Sequence, residues 1–166
     1  MRLACHRVNR PDVTLSPDPW WGNFHSDHAA LVRCAARWPV SEAVPEGIAT
    51  VLRVSRDLFV QSYFVHEFLL TAVTWGLLAL EASLGMCVEA GDRDNLGALI
   101  RRARDSGLLT ADEASVLDAG RQLRNQIVHG ALLPTSLTPG MAEQMLLGTH
   151  EAISDLHGRT KADPQG

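Results

Sequence analysis

The run FLLTAVTWGLLAL, Phe68–Leu80, carries no charge over 13 positions and is closed by Glu67 and Glu81. A segment this apolar must be covered by something. A helix that crosses a bilayer needs roughly 20 apolar residues, so the run reads as a helix buried in protein. The steps Phe64, Phe68, Val73, Leu77, Leu80 and Leu84 continue at helical spacing on a broad apolar face. Such a helix needs neighbours on several sides, and the rest of the chain has to provide them.

Helical periodicity does begin at about Pro45. Glu46 to Val60 carries Ile48, Val51, Leu52, Leu58 and Phe59. Ser62 is the expected cap of the long apolar helix, which runs to about Ala90 and is stopped by Gly91 and Asp92. Asp94 or Asn95 caps a third helix that ends near Gly107. Thr110 and Glu113 stand three apart, the capping-box spacing. They open a fourth helix running to His129, with Gly130 just past its end. After a loop from Leu132 to Leu137, Thr138–Pro139 restarts a final helix with Met141, Met145, Leu146, Ile153 and Leu156 on its apolar side. There is no internal repeat and no strand pattern. The expected fold is all-α, an antiparallel bundle of four to five helices over residues 45–157. An irregular N-terminal extension (1–44) precedes it and a flexible tail (158–166) follows. The extension carries a VNRPDV turn, a short helix within His28–Trp38, and Trp20 and Trp21 as packing anchors.

The chain has 166 residues, enough for one domain. A net charge of −4 excludes nucleic-acid binding by bulk charge, so any such contact must be a local patch. Of the 15 basic residues only Lys161 is a lysine; the others are arginines, which grip phosphate bidentately. The 3 cysteines are odd in number and scattered, and MRLACHRVNRPD has no apolar core of a signal sequence. A cytoplasmic protein without a membrane partner is expected. Cys5, His6, His25, His28 and Cys34 include zinc-type ligands, but their spacing matches no finger pattern, so no metal is expected. No phosphate-binding or dinucleotide-binding glycine loop and no serine nucleophile elbow is present, and no cofactor is expected.

The fourth helix carries the functional signal. On a wheel of about 100° per residue, Val116, Gly120, Leu123 and Ile127 cluster as the expected core face. Beside them lie Leu117, Val128, Arg121, Arg124, Asn125 and His129. Two aliphatic residues mixed with two arginines, an Asn and a His suit a wet interface or a cleft between protomers. An arginine cannot lose its charge, and a histidine is the side chain that exchanges protons near neutral pH. Together they are a minimal kit for cleaving a phosphodiester: Arg stabilises charge on phosphorus and His moves a proton. The bland readings stand beside this one. Arg121 and Arg124 could pair with Asp118 on a solvated face, and His129 could simply complement the helix dipole. Arg101, Arg102 and Arg104 read as a solvated face, and Glu67 and Glu81 as structural partners of arginines.

The run LRNQIVHG, with Arg124, Asn125 and His129, resembles the Arg-Asn-x-x-x-His signature of HEPN domains. The long helix through YFVHEF and LALEA resembles the family's second helix, so the resemblance covers roughly residues 45–157. It implies a helical bundle that dimerises with its signature helices face to face. Many members are metal-independent endoribonucleases of toxin–antitoxin, phage-defence and CRISPR systems. By that resemblance Arg124 and His129 form the catalytic pair and Asn125 orients it or bridges two helices. Arg121, Leu117 and Val128 would contribute to substrate contact or the interface. The implied reaction is attack of a ribose 2′-OH on the adjacent phosphate, leaving a cyclic phosphate and a 5′-OH. The implied partners are RNA, a second copy of the chain, and an antitoxin or nucleotidyltransferase. The alternative is a non-catalytic module that uses the same face to dimerise or to bind a partner or nucleotide.

Overall fold

The structure, a computed structural model, describes residues 15–88, 91, 94–131 and 136–162, with side chains to 159. The VNRPDV turn, Cys5, His6, Asp92, Pro134 and the residues beyond 162 lie outside that set. The described residues are all-helical: a 3-10 turn at Pro19–Asn23, then α1 His28–Ala35, α2 Glu46–Gln61, α3 Phe68–Cys87, α4 Leu96–Asp105, α5 Ala111–Val128 and α6 Pro139–Ala162. The molecule is an all-α bundle. The body holds five helices, and α1 is the short helix of the N-terminal segment.

Local chemistry sets most helix ends. The Asn95 Oδ1 accepts the Ala98 N–H at 3.0 Å and starts α4. At α5 the capping box is complete: Thr110 Oγ1 accepts from Glu113 N–H at 3.2 Å, and Glu113 Oε2 accepts from Thr110 N–H at 2.7 Å. Gly107 and Gly130 follow α4 and α5 with φ of 79° and 74°, left-handed values that a side chain would strain.

Ser62 departs from expectation. It caps the C-terminus of α2 rather than opening the long helix, and its buried Oγ donates back to the Phe59 carbonyl. The chain turns before α3 starts at Phe68. Tertiary contacts hold that turn: the Trp21 indole N–H donates to the Ser62 carbonyl at 2.6 Å, and Asp18 N–H to the Tyr63 carbonyl at 2.8 Å. The carbonyls that the turn frees are satisfied by the N-terminal segment, so nothing needs a longer helix there.

Helix α3 is the centre. It packs against α2 and α6, with α4 and α5 paired along another side. A Cβ on Gly76 would meet Leu146 Cδ2 at 2.9 Å and Ser55 Oγ at 3.4 Å, so its missing side chain lets three helices approach. Trp21, Leu31, Ala35 and Trp38 of the N-terminal segment join the same core as Phe59, Leu80, Ile153 and Leu156. The helix is longer than its uncharged run. At 20 residues, with a mean hydropathy of 1.5 over its best window, α3 is long and apolar enough to cross a membrane. Half of that window is buried within the bundle. The other side leaves Phe68, Trp75, Leu78 and Met86 exposed in a row at helical spacing.

Candidate functional site

Helix α5 is turned from the expected orientation in its first half, while Gly120, Leu123 and Ile127 face inward as expected. Val116, assigned to the core, is 61 % exposed, and Leu117, assigned to the outer mixed face, is 5 % exposed. Ile127 is buried as expected, and Leu123 packs against the core. Gly120 faces α6, where a Cβ would lie 3.2 Å from Met145 Cε. The cause lies in the neighbouring helices, which the wheel of α5 alone does not contain. Arg121 and Arg124 face the start of α4, while Leu117 lies with Val73 and Leu77 of α3 and Leu146 and Thr149 of α6.

That orientation carries the arginines into a cavity of about 230 Å³ between α3, α5 and the start of α4. Its walls include Arg121, Arg124 and Asn125 from α5, Asn95 and Gly97 from α4, and Glu81 from α3. Arg124 is half-buried, and its Nη1 donates to Asn125 Oδ1 at 2.8 Å. Its Nε is buried with no hydrogen-bond partner. Arg121 Nε donates to Asp118 Oδ1 at 2.7 Å, and the hydrogen bond holds the Asp118 carboxyl below the usual carboxylate range. The Arg121 guanidinium lies over Gly97: a Cβ there would be 3.2 Å from Nε and 3.3 Å from Cζ. The cavity thus gathers two guanidinium groups, one of them paired with Asp118, and the start of α4, groups of the kind that donate hydrogen bonds to an anion. Glu81 is its one lining carboxylate and makes no ion pair with a described residue.

The signature is therefore divided. Arg124 and Asn125 share the cavity with Arg121. His129 caps the C-terminus of α5 and is exposed, outside the cavity lining. Val128 beside it is 52 % exposed. Arg121 both pairs with Asp118 and lines the cavity, while Arg102 and Arg104 pair with Asp94 and Asp105 at 2.7 and 2.8 Å. Glu67 is exposed. Comparison with protein families, curated proteins and solved structures finds no match to the chain.

Two features escaped the sequence reading. Asn95 was legible as a cap, but nothing local says that its helix start faces α5. The second is a cluster outside the cavity: His25 Nε2 lies 3.1 Å from Glu143 Oε2, and Cys34 Sγ lies 2.9 Å from Glu143 Oε1. His28, three residues after His25, is outside the cluster and stacks near Phe64 and Tyr63, with ring centroids 4.9 and 5.6 Å away. Glu143 lies more than a hundred residues from either partner in sequence, so no short spacing could have announced it.

Proposed function

We propose that this chain is a HEPN-type, metal-independent endoribonuclease acting as a homodimer. The observation that carries the reading is the cavity itself. Arg124 and Asn125, adjacent in the signature, line it together with Arg121, and Asn125 holds the Arg124 guanidinium through Nη1. In the proposed reaction the 2′-oxygen bonds to phosphorus, the bond to the 5′-oxygen breaks, and that oxygen takes up a proton. Arg124 would hold the extra charge on phosphorus, and His129 would move the proton. His129 stands at the open end of α5. Two copies meeting through that end would bring paired His129 side chains to a shared cleft, with exposed Val128 at the contact. Control by an antitoxin or nucleotidyltransferase partner belongs to the same proposal.

The test is cleavage of total RNA and tRNA in EDTA by the purified protein, with its folding in EDTA checked by circular dichroism. Arg124→Ala and His129→Ala should each lower the rate by about 100-fold or more. Both variants cleaving like the parent would refute the assignment. The exposed row on α3 with Val128 favours a second reading, a non-catalytic interaction module. It predicts a stable dimer without cleavage. Val128→Asp is the proper interface probe, because Asp at buried Leu117 would damage the fold itself.

A further inference from the structure

We propose that His25, Cys34 and Glu143 form a binding site for a zinc-class divalent cation that pins the N-terminal segment to α6. The three side chains come from separate places in the chain: the turn before α1, the last turn of α1 and the first turn of α6. Their ligand atoms all lie within 4.8 Å of one another. The groups are largely shielded, with His25 and Glu143 side chains 16 % and 28 % exposed.

The donor set selects the metal. A thiolate, an imidazole and one carboxylate suit zinc, whereas magnesium and calcium take oxygen ligands. With bond lengths of about 2.0–2.3 Å and tetrahedral angles, zinc would place the ligand atoms about 3.4–3.6 Å apart. His25 and Cys34 meet different oxygens of Glu143, at 3.1 and 2.9 Å, and all ligand atoms lie within 4.8 Å, so loading requires the side chains to rearrange by about 1 Å around the ion. Loading would release the Cys34 proton, which in the metal-free arrangement is donated to Glu143 Oε1. Burial and the facing carboxylate hold the Cys34 thiol above its ordinary range, while Arg37 opposes them. A bound dication reverses that balance outright. Three protein ligands leave a fourth position for water.

The arrangement does not suit a cysteine nucleophile. In a working dyad the imidazole takes the thiol proton, and the acid orients the far side of the ring. Here Glu143 stands between them and bonds both the thiol and the imidazole Nε2. The site is separate from the arginine cavity, whose lining includes none of these residues. The segment it would pin is already packed on α6: a Cβ on Gly140 would lie 3.0 Å from Phe24 Cε1.

The test uses tag-free protein dialysed free of metal and titrated with zinc chloride, or with cobalt chloride as a spectroscopic reporter. One metal per chain, a thiolate-to-cobalt charge-transfer band and a zinc-dependent rise in Tm are expected. Cys34→Ser, nearly isosteric, should abolish the band. Cys34→Ser and Glu143→Gln should each weaken zinc binding by more than the roughly 10–100-fold that loss of an outer hydrogen-bond partner costs. Zinc should also shield Cys34 from alkylation in the parent, read by peptide mapping with Cys87 as the internal reference. Binding that survives Cys34→Ser and Glu143→Gln unchanged would overturn the proposal. So would no binding at micromolar zinc, which would leave the cluster as a hydrogen-bonded clamp.

Discussion

His150 has no exposed surface, although it is a titratable residue in the middle of α6. Its Nδ1 lies 3.2 Å from the Pro39 carbonyl, and its ring centroid is 5.3 Å from that of Trp38. Burial first, and the nearby Arg56 charge second, push its pKa down from 6.5 to about 4. The folded chain thus holds this histidine neutral where the unfolded chain would protonate it. Between about pH 6.5 and 4 the unfolded state binds more protons, so stability falls as pH falls through that window. The loss should approach about 3 kcal/mol. Urea unfolding from pH 7 to pH 4 should show that slope, and His150→Phe, which keeps an aromatic ring beside Trp38, should flatten it. A second residue-scale prediction concerns Gly97→Ala. The new methyl must displace the Arg121 guanidinium, which is flexible, while alanine is the better helix former. Stability should therefore hold or rise by up to about 1 kcal/mol in denaturant titrations. RNA cleavage by the same variant should fall, because Arg121 no longer lies over the cavity wall.

At the scale of elements, the helix ends and the α3 seams respond differently to substitution. Thr110→Ala removes one half of the capping box of α5 and should cost about 1 kcal/mol in thermal or urea unfolding. Gly76→Ala places a methyl 2.9 Å from Leu146 Cδ2, where α3 meets α6 and α2. Overpacking at such a seam costs about 1–3 kcal/mol, and the same measurement should show the larger loss there. Both changes leave the arginine cavity chemically intact. Helix α3 also shows why composition alone is ambiguous. Its length and hydropathy satisfy a bilayer, yet Gly76, Leu77 and Ser83 are buried within the bundle.

At the scale of the whole molecule, the row Phe68, Trp75, Leu78 and Met86 and Val128 at the end of α5 are among the apolar surfaces that the bundle leaves uncovered. Leu78 also lines the arginine cavity, so association through this row would close the cavity's rim. Leu78→Asp should shift sedimentation toward the monomer and lower cleavage in parallel if the homodimer is the active form. Most helix positions, the capping box of α5, the glycine after it and the proline that opens α6 were readable from the chain, because each depends on neighbours within four residues; the start of α3 was not. The orientation of α5 was not readable. A wheel ranks faces by their own apolar content, but the inward face is set by which helices dock beside it. Here Arg121 and Arg124 turn toward α4, Leu117 toward α3 and α6, and Val116 stays in solvent. The turn at Ser62 and the meeting of His25, Cys34 and Glu143 have the same origin. Local sequence determined most helix ends, since hydrogen bonds within one or two turns decide them, the α2–α3 turn apart. Tertiary packing alone decided which side chains meet, since those contacts join residues far apart along the chain.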